Sequence, residues 1–338
     1  MRASPAASPR RLPLLFCATL AVLSSARGAE LRVCTQNLWN FGEAREVQRL
    51  RRSSESLDEV SRDLDQRLGL LASRLASCDV VALQEIVGGS AAAAESGARR
   101  LVEALQKRTG ARWAMKIGEG PDVIRNGILV RERSGRSLGA APAPAPSPSG
   151  WERAPAAATI RAGSRVIEIY SVHLKSKGSF GREPDPEGES WERRRIAQAS
   201  GLCEMARRRL TADGRAIVLI AGDFNNIPGS ATREVAAGRL EPERLMSPRD
   251  CIGEGGSIAC PLPRSPALLI DLAALDPDTK DRGSFRFQNR YEQIDTILAS
   301  PEAARLAQTG SPGDWEVAIT GAIGSGSDHR LVSVTLRY

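Results

Sequence analysis

The 338-residue chain is poor in several residue types, and each shortage narrows what it can be. It has two histidines, six cysteines, only 4% aromatic residues, and five lysines against 42 arginines. No apolar run reaches the roughly 18 residues of a membrane-crossing helix, so a helical integral membrane protein is excluded. Six cysteines are too few for a disulfide scaffold at this length, and none has the spacing of zinc ligands. Glycine, 31 residues, and proline, 20, are too few for a collagen-like or wholly disordered chain. What remains, 41% hydrophobic and 26% charged residues, is a globular composition of one large domain or two ordinary ones.

The formal charge of +7 invites an anionic partner such as nucleic acid or a membrane surface, but much of it sits at one end. Residues 1–28 hold Arg2, Arg10, Arg11 and Arg27 and no acid, so without them the net charge falls to +3. The same segment runs from arginines through an apolar stretch, Leu12 to Leu23, to Ser24, Ser25, Ala26, Arg27 and Gly28. This is the order of a secretory signal peptide, with cleavage after Ala26 or Gly28 and a secreted or periplasmic destination. Cys17 leaves with it, and five cysteines remain. Cys251 and Cys260 flank a Gly-rich stretch and are placed to close a small surface loop. Cys34 and Cys78 adjoin core strands and read as buried free thiols.

Beyond the signal, strand-like and helical stretches alternate. Strands are predicted at Leu31–Leu38, Asp79–Leu83, Gly127–Arg131, Ala156–Ile160, Val166–His173, Ala216–Ala221, Gln293–Leu298 and Leu331–Leu336. Leu57, Val60, Leu64, Leu68, Leu71 and Leu75 recur at helical spacing, with Asp and Arg on the outer face. Further helices are predicted near Ala98–Arg108 and Trp191–Arg209. Ala140–Gly150, AAPAPAPSPSG, reads as a stiff solvated loop between two strands. Strands joined by helices alternate with strands joined by turns, which points to a layered α/β sandwich with residues 29–338 as one domain.

Both histidines lie at the polar ends of apolar strands, His173 in Ser-Val-His-Leu-Lys-Ser and His329 in Ser-Asp-His-Arg. Gln84-Glu85 and Gly222-Asp223-Phe224-Asn225 end two other strands, Asp295 interrupts a further apolar run, and Asp328 adjoins His329. A single charge at a strand end usually caps the next helix or is solvated. Strands of a sheet deliver their ends to a common edge, however, and Asn37, Glu85, His173, Asp223, Asn225, Asp295, Asp328 and His329 can meet there. Carboxylate and amide oxygens suit Mg²⁺, Mn²⁺ or Ca²⁺, and a histidine beside them can move protons.

The series Thr35-Gln36-Asn37, Leu83-Gln84-Glu85, Val172-His173-Leu174, Gly222-Asp223-Phe224-Asn225, Ile294-Asp295 and Ser327-Asp328-His329 resembles the endonuclease/exonuclease/phosphatase (DNase I-like) superfamily in order and rough spacing, over residues 31–336. Within it, His173-Leu174-Lys175-Ser176-Lys177-Gly178, followed by Trp191, Arg195, Gln198 and Ala199, looks most like bacterial extracellular nucleases. Arg153 before Pro155 resembles the arginine that meets the substrate phosphate in secreted deoxyribonucleases.

The resemblance implies a four-layered α/β sandwich, two mixed β-sheets flanked by helices. It also implies roles: Glu85 as principal metal ligand with Asn37 and Asp328 close by, and Asp223 and Asn225 positioning water and phosphoryl oxygens. His329, held by Asp295, and His173 would share acid and base duties. Arg153, Lys175 and Lys177 are the candidate phosphate contacts, while Arg193–Arg195 and Arg207–Arg209 read first as a solvated helix face. A tyrosine and a glutamate that secreted deoxyribonucleases have near the Gly127–Arg131 strand are missing in register, where only Asp122 and Arg125 occur. The expectation is a secreted, monomeric, Mg²⁺-dependent phosphodiesterase acting on DNA or RNA with little sequence specificity. The alternative is a sphingomyelinase-like or inositol-phosphate branch, against which stand the low aromatic content and the lack of a visible aromatic hairpin.

Overall fold

The computed structural model describes residues 29–51, 54–133, 136–140, 150–177, 189–241, 267–273, 283–287, 289–309, 315 and 317–338. The predicted export segment, the Cys251 and Cys260 loop and most of Ala140–Gly150 lie outside the described residues. In chain order the elements are β1 (Glu30–Gly42), α1 (Ala44–Arg51), α2 (Leu57–Leu75), β2 (Val80–Val87), α3 (Ala91–Thr109), β3 (Trp113–Ile117), β4 (Ile124–Arg131), β5 (Arg136–Ala140), β6 (Ala156–Ala162) and β7 (Arg165–His173). There follow α4 (Glu189–Ala212), β8 (Ile217–Asp223), α5 (Ala231–Ala236), β9 (Ile270–Asp271), β10 (Phe285–Phe287), β11 (Arg290–Glu292), β12 (Asp295–Ala299), α6 (Pro301–Ala307), β13 (Val317–Thr320) and β14 (Leu331–Arg337).

One six-stranded sheet has the order β13-β14-β1-β2-β4-β3 and the other β5-β6-β7-β8-β12-β9, with β10 and β11 a separate hairpin. Both sheets are mixed, because β1 pairs with β2 and β7 with β8 in parallel while the other pairings are antiparallel. The two-residue period of a strand divides their side chains between two cores. Val33, Val80, Ala82, Ile167, Ile169, Ile217, Leu219 and Ile297 meet between the sheets. Their neighbours turn outward: Cys34, Val81 and Leu83 pack under α1, α2 and α3, while Tyr170, Val172, Val218 and Ile220 pack under α4 and α5. Covering on both faces is why Val80-Val81-Ala82-Leu83 is apolar without alternation. The four layers match the sandwich expected above. No helix among the described residues is long and apolar enough to cross a membrane.

Local signals set the helix ends. Ser56 and Glu59 form a reciprocal capping box at the start of α2, and Ser90 caps α3, which ends on Gly110 at φ 65°. Each such cap contributes about 1 kcal/mol. The α2 stripe is buried as its spacing predicts, with Val60, Leu64, Leu71 and Leu75 fully covered. Arg67, assigned by its charge to the outer face, is instead 4% exposed.

The expectation of two free thiols at Cys34 and Cys78 fails as well. Cys34 and Cys78 form a disulfide with Cα atoms 6.1 Å apart. Cys34 lies on β1 and Cys78 just before β2, so parallel pairing of these strands brings together residues 44 apart in sequence. Closing a loop of that length stabilises the fold by about 4 kcal/mol on chain-entropy grounds. Cys203 is the free, buried cysteine among the described residues.

Candidate active site

Strand register brings the acids and histidines together. His173 at the end of β7 stands opposite Asp223 at the end of β8, and Asp295 at the start of the antiparallel β12 stands opposite Asp223 on its other side. All three lie in phase with the inter-sheet residues Ile169, Ala221 and Ile297, and so face the other sheet. The strands approach closely here: a Cβ on Gly222 would come within 1.9 Å of the Val172 carbonyl oxygen, so only glycine fits beside Asp223. From the opposite sheet, β1 contributes Asn37, β2 contributes Glu85, and the turn before β14 contributes Asp328 and His329. Beneath them a buried polar bridge marks the passage from apolar core to site. Thr35 Oγ1 donates to Gln84 Oε1 (3.2 Å), Gln84 Nε2 to Ser171 Oγ (3.0 Å), and Ser171 Oγ to the Leu83 carbonyl (2.8 Å).

Backbone strain concentrates at the same edge. Among the described residues, the non-glycines with left-handed φ are Trp39 (53°), Asn40 (55°), Glu85 (61°), Asn225 (51°) and, away from the core strands, Asn289 (65°). Such conformations cost on the order of 1–3 kcal/mol each and persist where surrounding contacts enforce them. Here they break the β1–β2 register between Asn37 and Phe41 and let the Asn40 N–H reach Glu85 Oε2 at 2.9 Å.

The result is a cavity of about 330 Å³ lined by Asn40, Glu85, Ile124, Arg153, His173, Ser176, Lys177, Asp223, Asn225, Phe285, Glu292, Ile294, Asp328 and His329. Asp223 is at its centre: its Oδ2 is 3.5 Å from His173 Nε2, 3.9 Å from His329 Nε2, and accepts from Asn37 Nδ2 at 3.2 Å. Burial and the charge of Asp295 push the Asp223 carboxyl well above the usual carboxylate range. Burial, reinforced by Glu85, raises Asp328 to about 6. His329 Nδ1 is 2.7 Å from Asp295 Oδ2, and its ring lies 4.8 Å from that of Phe285. Burial alone would lower its pKa, but the Asp295 hydrogen bond and charge, with Asp223 and Asp328, raise it to about 10. His173 goes the other way. Burial lowers its pKa well below 6.5, and the Arg153 guanidinium, with Nη1 2.7 Å from His173 Nε2, lowers it further.

The carboxylates fit a hard divalent cation. Asp328 Oδ1 is buried without a hydrogen-bond partner among the described residues, and burial together with neighbouring carboxylates raises Asp328 and Asp223. Glu85 and Asp328 offer oxygens to such an ion. Asp223, Asp295 and His329 also place potential ligand atoms within 4.8 Å of one another, although the Asp295–His329 hydrogen bond already occupies one oxygen.

Most predicted site residues line the cavity; Asp295 is buried against His329, Asn37 contacts the acids from β1, and Lys175 is turned aside. Asn37, expected among the metal ligands, has its oxygen engaged by the Trp39 N–H at 2.9 Å, while its Nδ2 faces Glu85 Oε1 (3.1 Å) and Asp223. Its Nδ2 braces the two acids, and its Oδ1 keeps one lone pair beyond the Trp39 bond. Lys175 does not line the cavity; its Nζ lies 3.8 Å from Glu152 and 5.8 Å from the Trp191 ring, because Gln198 and Arg195 pin its backbone against α4. Lys177 does line it, 3.0 Å from Glu292. Of the arginine triplet, Arg195 is buried against Glu192 and Arg194 pairs with Glu152.

Other contacts were not read from the sequence. Arg153 donates to Asp122 Oδ2 at 3.1 Å, which explains how His173 is held without the missing tyrosine and glutamate. Arg67 donates to the carbonyls of Leu38, Trp39 and Gly326, and Arg74, two turns along α2, donates to those of His329, Ala322 and Ser325. The two arginines tie the Asn37–Phe41 bulge and the Asp328–His329 turn to one helix. The regular seven-residue spacing of Arg67 and Arg74 is the sequence signal, but it equally suits a solvated face. The expected lack of an aromatic hairpin is also corrected: β10 and β11 form one, with Tyr291 39% exposed and the guanidinium of Arg330 4.4 Å from its ring centroid.

Truncated TDP2 from Caenorhabditis elegans shares the fold with a TM-score of 0.54 at 15% identity, covering 91% of this chain and 98% of that one. The D. rerio TDP2 complexed with single strand DNA product gives 0.53 at 16%, covering 92% and 100%. The human Nocturnin catalytic domain with bound sulfate anion gives 0.52 at 16%, covering 90% and 93%. No curated protein matches the chain. Residues 34–329, from the disulfide cysteine of β1 to the site histidine before β14, match the family model, and the chain belongs to the Endonuclease/Exonuclease/phosphatase family of metal-dependent phosphodiesterases and phosphatases.

Proposed function

We propose that this protein is an exported, Mg²⁺-dependent nuclease of the bacterial extracellular kind, hydrolysing phosphodiester bonds of DNA, with RNA as a second substrate, and with little sequence specificity. The observation that carries the proposal is the charge layout of one cavity. An acid cluster, Glu85, Asp223 and Asp328, offers oxygens to a cation, while Arg153 and Lys177 stand on the wall. A phosphodiester brought in with a divalent cation satisfies both.

The bound cation would neutralise charge on the phosphoryl oxygens. Glu85 and Asp328 would hold it. Asp223, its pKa raised, takes the proton of the attacking water, and Asn225 orients the phosphoryl oxygens. His329, kept cationic by Asp295, donates its proton to the leaving oxygen. His173 stays neutral, and its Nε2, accepting from Arg153 Nη1, orients that guanidinium beside Asp223. Arg153 and Lys177 meet the phosphate.

Export is supported by the order of residues 1–28 and by the Cys34–Cys78 disulfide, since such bonds persist in oxidising compartments. A nucleic-acid substrate is supported by the TDP2 structure complexed with single strand DNA product. The test is incubation of the purified protein with plasmid DNA, RNA and sphingomyelin, with Mg²⁺ or EDTA. Cleavage of nucleic acid that EDTA abolishes is expected. Intact DNA and RNA beside cleaved sphingomyelin would overturn the proposal in favour of the lipid branch. Export is checked by the N-terminus of the protein recovered outside the cytoplasm, expected after residue 26 or 28.

A further inference from the structure

Five large apolar side chains stand out of the described surface: Trp39, Leu70, Val123, Val166 and Tyr291. Trp39 and Tyr291 each adjoin a residue that lines the active-site cavity, Asn40 and Glu292. They share a second property. The Arg67 and Arg51 guanidiniums lie 4.8 and 5.7 Å from the Trp39 ring centroid, and those of Arg330 and Arg286 lie 4.4 and 6.0 Å from that of Tyr291. Aromatic rings interleaved with arginines beside a phosphate-ester site have the chemistry of a single-strand nucleic-acid track.

Trp39 is the stronger of the two. Its φ of 53° is a strained conformation for so bulky a residue, and it leaves the indole 38% exposed. The strain is enforced rather than incidental. Arg67, itself 4% exposed, donates to the Leu38 and Trp39 carbonyls, and the Trp39 N–H is fixed on Asn37 Oδ1. That asparagine also braces Glu85 and Asp223. The indole is thus tied, through one side chain, to the acids of the site. A rigid aromatic surface loses little conformational entropy when a flat ligand covers it.

We propose that Trp39 is a nucleobase-stacking platform beside the catalytic cavity, with Tyr291 a second one on the β10–β11 hairpin, and that the substrate strand is unpaired. The inference rests on the nuclease function proposed above and adds the strand class to it. A base inside a duplex has both faces covered by its neighbours, so only an unpaired base can stack on the indole. Arg67 is buried and fixes one side of the indole, while the exposed Arg286 beside Tyr291 is placed to attract the strand's phosphates.

The test is binding of fluorescent 12-residue oligonucleotides in EDTA, so that nothing is cleaved. Stacking is worth about 1–3 kcal/mol per base, so Trp39→Ala is expected to weaken single-stranded DNA or RNA binding roughly 5- to 150-fold. The salt dependence should be unchanged, because no phosphate contact is lost. Trp39→Phe should recover most of the affinity, and blunt duplex binding should not move. A second measurement needs no variant: the wild-type protein should bind a fully abasic strand, with all its phosphates but no bases, as weakly as Trp39→Ala binds the intact strand. Equal wild-type affinity for abasic and intact strands would overturn the inference, as would a Trp39→Ala protein that binds single strands normally. So would one that loses binding to phosphatidylcholine vesicles instead, which would make the indole a membrane contact. A wild-type protein that neither binds nor cleaves DNA or RNA would instead sink the nuclease proposal itself.

Discussion

His173 and His329 occupy the same kind of place and have opposite chemistry. Each sits at the polar end of a strand, each is 4% exposed, and each has Nε2 within 4 Å of the same Asp223 oxygen. His329 is surrounded by Asp295, Asp223 and Asp328 and is held protonated, with a pKa raised to about 10. His173 meets the Arg153 guanidinium, which can only donate, so Nε2 accepts and the ring stays neutral; its buried Nδ1 has no partner among the described residues. Burial disfavours the charged form of both. The difference lies in the Arg153 guanidinium on His173 and the Asp295 carboxylate bonded to His329, and it separates a proton donor from an acceptor within one cavity.

The largest test of this contrast is removal of His329. His329→Ala is expected to lower kcat by about 10²- to 10⁴-fold, the usual contribution of a positioned acid or base, measured on a nucleic-acid substrate at saturating Mg²⁺. Full activity would remove it from proton transfer. Asp295→Asn should cost about 10²-fold and move the alkaline limb of the pH–rate profile to lower pH, since the charge that holds the His329 proton is gone. An unmoved limb would mean that His329 does not govern it.

Arg153→Met should raise the pKa of His173 toward 6.5 in the metal-free protein, read from imidazole NMR shifts during titration. No change would show that burial alone keeps it neutral. The smallest effect concerns stability. His173 has its folded pKa depressed, so its contribution is present above pH 6.5 and is lost as pH falls; the Tm of metal-free wild type relative to His173→Gln should drop between pH 7 and 5. His329 has its folded pKa raised, so its contribution is present below pH 6.5 and lost as pH rises toward 10, and Tm relative to His329→Gln should fall over that range. Parallel curves for the two variants would break the comparison.

Much of this site was legible because catalytic side chains at strand ends interrupt apolar runs, and an acid or histidine there is conspicuous. Glu85 after Val80-Val81-Ala82-Leu83 and Asp223 after Ile217–Ala221 are such cases, and the outline of the sandwich followed from the same runs. Short elements such as β3, β5, α5, α6 and β13 carried too few residues for a period to show. Side chains whose partners are remote in sequence were illegible. Cys34 and Cys78 looked like two buried thiols because apolar context does not tell a thiol from half of a disulfide. Arg67 and Arg74 looked like solvated arginines because helical phase does not reveal that a loop 251 to 259 residues later needs donors for its carbonyls. Lys175 looked equivalent to Lys177, and only the packing of α4 turned one aside.

By itself, the sequence determined the composition of the site: carboxylates, two histidines and amides at strand ends, because strand periodicity and burial are local properties. The tertiary structure decided the charge each of them carries. Protonation depends on the sign of groups within a few ångströms in a poorly solvated cavity, and those neighbours, Asp295 beside His329 and Arg153 beside His173, come from other strands and loops.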